Sequence, residues 1–122
     1  MHPLLLVFVG GGLGSCARYG LSLWVPTTVG SFPWATFTAN MLACVLLGVL
    51  YGIEVRAGLS TSTRLLLAVG FCGGFSTFST FGLESLKMLQ SGTLALLAFY
   101  ILCSVVAGIV AMYLGMKLGQ IV

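Results

Sequence analysis

Gly70-Phe-Cys-Gly-Gly-Phe-Ser-Thr-Phe-Ser-Thr-Phe81 lies in the middle of an otherwise apolar segment. A membrane-spanning helix runs unbroken when all its backbone hydrogen bonds close internally. Here paired glycines precede a run of Ser, Thr and Phe, a pattern that predicts a break at bilayer depth. Such a break is tolerated only where it is buried in protein or faces a hydrated path, and it points to a site that handles ions.

The rest of the chain supports a membrane setting. Of its 122 residues, 59% are hydrophobic and 6% charged, with a mean hydropathy of +1.15. A soluble domain carries about 25% charged residues. The charged side chains here are Arg18, Glu54, Arg56, Arg64, Glu84, Lys87 and Lys117, too few to cover a water-facing surface. A bilayer core about 30 Å thick takes about 20 apolar residues per helix. Four stretches qualify, at 3–24, 33–53, 64–86 and 93–116, joined by short connections at 25–32, 54–63 and 87–92. They predict one all-α, four-helix transmembrane domain over residues 1–122, with its third helix broken in mid-membrane. Met1-His2-Pro3 supplies no Lys or Arg for the charged start of a signal peptide, so the first helix is expected to stay.

Enzyme chemistry has little to work with. Cys16, Cys44, Cys72 and Cys103 fall one to a predicted helix, without the paired spacing of zinc or redox motifs. They read as small packing residues. His2 sits at the terminus and is given no role. No nucleophile–base–acid set is present, and neither an organic cofactor nor a nucleic-acid partner is expected.

With four spans, both termini and the 54–63 connection share one side of the membrane, with Arg56, Arg64 and Lys117. Lys87 and Arg18 belong to the other side. Orientation follows the Lys/Arg bias of short loops, and this distribution is almost balanced. It suits either a weakly oriented protein or one inserted both ways, pairing antiparallel. An antiparallel homodimer would provide by assembly the inverted symmetry that larger transporters encode by duplication. Gly10/Gly14, Gly48/Gly52, Gly70/Gly74 and Gly115/Gly119 have the GxxxG spacing that lets helices approach closely.

Polar side chains inside a bilayer are costly, so their placement is informative. Thr36, Asn40, Cys44, Gly48 and Gly52 recur every four residues on the second helix. Tyr100, Ser104 and Gly108 do so on the fourth, and Ser76, Thr77, Ser79 and Thr80 cluster after the glycine pair. These stripes read either as packing seams or as the lining of a polar path. Asn40 serves as interhelical glue or as a donor to an anion. Arg18 either forms a structural pair with Glu84 or makes an electropositive vestibule; Glu84 has Lys87 three residues on as an alternative partner. Phe78 and Phe81 are core or lipid-facing bulk, or they offer positive ring edges to a small anion beside Ser79 and Thr80.

Taken together, these motifs resemble a known family. Gly11-Gly-Leu-Gly-Ser-Cys-Ala-Arg-Tyr19 is similar to the GGxxGAxxRY signature of the Fluc (CrcB-type) fluoride channels. Thr36-Phe-Thr-Ala-Asn40 resembles their TxxxN element. Gly70–Phe81 resembles their GxxGGxTTFSTF break, with Ser76 in place of the commoner Thr. The resemblance runs the length of the chain in order. It implies an antiparallel, dual-topology homodimer in a prokaryotic plasma (inner) membrane, selective for fluoride over chloride and relieving fluoride toxicity. It also implies a central Na+ held by the backbone carbonyls of Gly73 and Ser76. The implied fluoride pore residues are Asn40, Phe78, Ser79, Thr80, Phe81, Tyr100 and Ser104, with Arg18 and Glu84 near a pore entrance or in the dimer interior. Gly108 stands where some relatives have a second serine.

Two other readings compete. A small multidrug-type dual-topology transporter needs a carboxylate deep in the bilayer, whereas Glu54 and Glu84 lie at or near predicted helix ends. A non-transporting membrane assembly protein explains the glycines but gives no reason for the Phe-Ser-Thr break.

Overall fold

The computed structural model describes residues 1–28 and 30–122. Five helical elements make four spans long and apolar enough to cross a membrane. Helix α1 is Pro3–Trp24 and α2 is Trp34–Ala57. The third span, Thr61–Gln90, consists of α3 (residues 61–75) and α4 (Phe78–Gln90), and α5 is Leu94–Ile121. The chain is thus an all-helical integral membrane protein with an interrupted third span.

Local chemistry sets the ends of these helices. His2 accepts the Leu4 N–H through Nδ1 at 3.3 Å and Pro3 opens α1, so His2 has a capping role that the sequence did not suggest. Gly58, at φ 79°, ends α2, and Ser60 caps α3 by accepting the Thr63 N–H at 3.1 Å. Gly92, at φ 77°, turns the chain from α4 into α5. Both turns need the left-handed backbone that glycine adopts without a Cβ penalty.

The second and third connections are shorter than the sequence suggested. Glu54 and Arg56 lie on α2 rather than in a 54–63 loop, and Lys87 lies on α4 rather than in the 87–92 connection. A continuing helix satisfies its own backbone up to the polar boundary, so charged residues at its end can reach water without leaving it. Arg64 Nη1 bonds Glu54 Oε1 at 3.2 Å, and Arg56 Nη1 donates to the Ile121 carbonyl at 3.0 Å. These contacts gather α2, α3 and α5 at one end of the molecule.

The four GxxxG pairs are seams within the chain. A Cβ on Gly10 or Gly14 of α1 would overlap the carbonyls of Leu66 and Phe71 on α3, and one on Gly74 would overlap the Gly11 carbonyl. Gly48 and Gly52 meet the Met112 and Met116 carbonyls of α5 in the same way, while Gly115 and Gly119 meet Val45 and Val49 of α2. Two glycine-zipped pairs, α1 with α3 and α2 with α5, therefore build the helix bundle. The core between them is small: Ala39, Ala43 and Phe75, flanked by Leu21 and Phe71. Most large apolar side chains, such as Leu102, Val105, Ile109 and Leu114 of α5, point outward.

The break itself falls later than the glycines. Residues Arg64–Cys72 are π-helical, and Gly73, at φ −64° and ψ −38°, is still helical. The chain leaves the helix at Ser76 (ψ 156°) and Thr77 (φ −150°, ψ 120°). Gly74 is needed for contact with α1 rather than for an unusual backbone angle, and the unwinding is left to two hydroxyl residues that can bond the freed backbone.

Gly14→Ala and Gly48→Ala should therefore force paired backbones apart and cost about 1–3 kcal/mol. Gly12→Ala, with nothing within 4 Å of its Cβ, should be neutral or slightly stabilising. Thermal denaturation of the detergent-solubilised protein measures all three.

Candidate functional site

The geometry of the break follows from unpaired backbone. A helix end leaves carbonyls without donors, and the next helix start leaves N–H groups without acceptors. Ser76 ties off one carbonyl twice: its N–H and its Oγ both donate to the Cys72 oxygen, at 2.9 and 2.8 Å. Thr77 caps α4, its Oγ1 accepting the Thr80 N–H at 3.2 Å and donating to Thr80 Oγ1 at 3.1 Å.

Asn40 of α2 secures the rest. Its Oδ1 accepts the Thr77 N–H at 2.8 Å, and its Nδ2 donates to the Thr77 carbonyl at 3.2 Å. A planar amide matches both backbone groups of a single extended residue. Of the two readings of Asn40, the structure gives the glue directly, and one further Nδ2 hydrogen remains for another acceptor.

Because Thr77 turns to Asn40, the Gly73 carbonyl loses the donor that an unbroken helix would supply. Among the described residues, the carbonyls of Gly73, Phe75 and Ser76 have no hydrogen-bond donor. Gly74 differs: its oxygen accepts from Arg18 Nε at 3.3 Å and from Ser15 Oγ at 3.5 Å. Gly73 is exposed and Ser76 is half-buried. Free carbonyls at a helix C-terminus carry partial negative charge and suit a hard cation. No cluster of His, Cys, Asp and Glu able to hold a metal occurs among the described residues. Gly73 and Ser76 are thus oxygen donors of the right type for an alkali cation.

On the other side of the break lies the start of α4. The N–H groups of Phe78 and Ser79 have no acceptor among the described residues. The Phe78 ring is 83% exposed and lies 5.6 Å from Phe81, which in turn lies 4.9 Å from Tyr100 between ring centroids. Ser79 is exposed and Thr80 half-buried at the same helix start. Ser104, one turn after Tyr100 on α5, has a buried Oγ without a partner among the described residues, as does Ser85 on α4.

Neither proposed ion pair of Glu84 forms. Glu84 Oε1 accepts from Thr36 Oγ1 and Oε2 from the Tyr100 hydroxyl, both at 2.6 Å. Among the described residues the only ion pair is Arg64–Glu54. Arg18 bonds backbone and Lys87 remains exposed, so the carboxylate takes hydroxyl donors that the packing of α2 and α5 brings to it. Tyr100 is fully buried at 0% exposure, and Thr36 is buried too. The sequence placed Thr36 and Tyr100 on polar stripes but did not connect them through Glu84. A carboxylate near a span end, with hydroxyl residues on two other spans, was the available signal.

Arg18 and Glu84 nevertheless share a space. A cleft of about 350 Å³ at the end of α1 is lined by both, together with Ser22, Thr27, Thr36 and Thr80. It joins a guanidinium and several hydroxyls to the region where α4 begins. The structure thus brings Asn40, Thr80, Phe81, Glu84 and Tyr100 around the break and its cleft, leaves Phe78 and Gly73 exposed, and sets Ser104 one turn beyond Tyr100 on α5.

Asn40→Leu should orphan both Thr77 groups and cost about 1–3 kcal/mol for each. Tyr100→Phe should remove one donor to a carboxylate and cost about 1.5–3 kcal/mol. Denaturation midpoints compared with the parent protein check both values.

Comparison with known proteins places these features in a wider set. The family model described as "CrcB-like protein, Camphor Resistance (CrcB)" matches residues 5–116. A Phocaeicola vulgatus protein named "Fluoride-specific ion channel FluC" is 46% identical over 123 residues, covering 98% of this chain and all of its own length. Proteins of the same name from Leptospira interrogans and Thermus thermophilus are 50% and 42% identical, covering 87% and 94% of this chain and 85% and 91% of their own.

Proposed function

This chain belongs to the CrcB-like family, and on that premise we propose that it is a passive, fluoride-selective channel that lets cytoplasmic fluoride leave the cell. The observation that carries the reading is the break at Ser76–Thr77, where a helix C-terminus and a helix N-terminus meet midway along the third membrane-length span. Opposite partial charges then face adjoining spaces. The C-terminal end of α3 favours a cation, and the N-terminal start of α4 favours an anion.

Fluoride is small and tightly hydrated, so a selective path must replace its water with close donors. The cleft holding Arg18 supplies an attractive entrance. The second Nδ2 hydrogen of Asn40, the hydroxyls of Ser79, Thr80 and Ser104, and the ring edges of Phe78 and Phe81 would then act as donors along the path, with Tyr100 as its wall. Ser104 suits this role because its buried Oγ has no partner among the described residues. Chloride, being larger, is excluded by a narrow path of rigid donors. No energy source is required: hydrogen fluoride enters as the neutral acid and dissociates inside. The membrane potential drives the anion out with about 2.3 kcal/mol per charge per 100 mV.

The working unit in this reading is an antiparallel, dual-topology homodimer in the prokaryotic inner membrane. Two features support it: the outward Phe78 ring and the exposed Gly73 carbonyl would be left in lipid by an isolated protomer. A Na+ ion at the dimer centre would be held by the carbonyls of Gly73 and Ser76 and would neutralise their partial charge. A proton-coupled transporter fits less well, because both oxygens of Glu84 already accept hydroxyl bonds.

Protein reconstituted in liposomes should release fluoride down its gradient while chloride is retained; no fluoride efflux, or equal chloride efflux, would discard the channel. Phe81→Ile and Asn40→Asp should block flux while dimers persist by size-exclusion chromatography. Unchanged flux in both variants would remove those residues from the pore.

A further inference from the structure

Arg18 is the one guanidinium well inside a span, and it lacks a carboxylate partner. Glu84 shares its cleft, yet both Glu84 oxygens accept from Thr36 and Tyr100. Instead, Arg18 Nε donates to the Gly74 carbonyl, seconded by Ser15 Oγ from one turn earlier on α1. The glycine seam makes this reach possible, since Gly11 and Gly14 bring the α1 backbone against Gly74 and Phe71.

Gly74 lies within the set of carbonyls exposed by the break. Its neighbour Gly73 and, two residues on, Ser76 have free oxygens, while the Gly74 oxygen is taken. The guanidinium therefore sits at the same helix C-terminus that would hold a cation, and it competes for the same partial charge. Consecutive Cα atoms are about 3.8 Å apart. With Arg18 Nε 3.3 Å from the Gly74 oxygen and Gly73 the adjoining residue, the positive charge stands beside the Gly73 end of the site.

We propose that Arg18, through its hydrogen bond to the Gly74 carbonyl, is the residue that restricts the Gly73–Ser76 cation site to singly charged ions. The inference rests on the sodium reading given above. Backbone carbonyls alone would accept Ca2+ as well as Na+, because both take oxygen ligands. With no carboxylate in the site to favour a second charge, a fixed positive neighbour shifts the balance further. At this range a unit charge alters monovalent affinity by about tenfold or more, and divalent affinity by the square of that factor.

The test reads cation binding through stability rather than flux. Melting temperature of the detergent-solubilised protein is followed while Na+ or Ca2+ replaces N-methylglucamine at constant ionic strength. The parent protein should be stabilised by Na+ and not by Ca2+. Arg18→Gln should lower the Na+ midpoint at least tenfold and gain stabilisation by Ca2+, whereas Arg18→Lys, which keeps the charge, should follow the parent. An unchanged or higher Na+ midpoint in Arg18→Gln, or continued indifference to Ca2+, overturns the proposal while leaving the sodium reading intact. A parent protein whose melting ignores Na+ overturns both. Should Arg18→Gln fail to assemble, Ser15→Lys reads the same effect with opposite sign: a second positive charge on Gly74 should raise the Na+ midpoint, and no rise overturns the proposal.

Discussion

The amide of Asn40 bonded to both backbone groups of Thr77 is the contact on which the site depends. A backbone N–H and C=O left unpaired inside a membrane span are costly, so a helix unwinds there only if another group takes their place. Asn is the smallest side chain with a donor and an acceptor in one plane. By holding Thr77 extended, it denies the Gly73 carbonyl its helical partner, and Gly73 is exposed. It also sets Thr77 to cap α4 through Oγ1. One side chain on α2 thereby creates a cation-favouring end and an anion-favouring start within two residues of each other.

The glycine seams make that contact rigid. Membrane helices gain little from the hydrophobic effect, because lipid is as apolar as leucine, so association depends on close packing and hydrogen bonding. Gly10, Gly14 and Gly74 bring α1 onto α3, and Gly48, Gly52, Gly115 and Gly119 bring α2 onto α5. The first pair delivers Ser15 and Arg18 to the Gly74 carbonyl. The second delivers Thr36 and Tyr100 to Glu84, which stays on α4. Polar groups thus satisfy one another across spans instead of drawing in lipid-exposed charge.

The chain belongs to the CrcB-like family, and the physics accounts for why these residue types suit the site. A hydroxyl-bound carboxylate and a carbonyl-bound guanidinium can share one cleft without collapsing into an ion pair. The cleft keeps a charged wall and remains open, which a direct Arg18–Glu84 bridge would close.

The sequence alone determined that this is a membrane protein of four spans and that the third is interrupted, because hydropathy and backbone satisfaction act locally along the chain. Its motifs also identified the family and most residues around the break. It placed the interruption within Gly70–Phe81 but not at a particular residue, since paired glycines and hydroxyl residues both read as helix breakers when their neighbours are unknown. Only the tertiary structure decided that Gly73 and Gly74 stay helical and that Ser76 and Thr77 unwind. It likewise decided that Glu84 takes hydroxyls and that the GxxxG pairs close within one chain. Each of these choices depends on which partner a distant span brings within hydrogen-bond or van der Waals reach, and that is set by packing rather than by spacing along the chain.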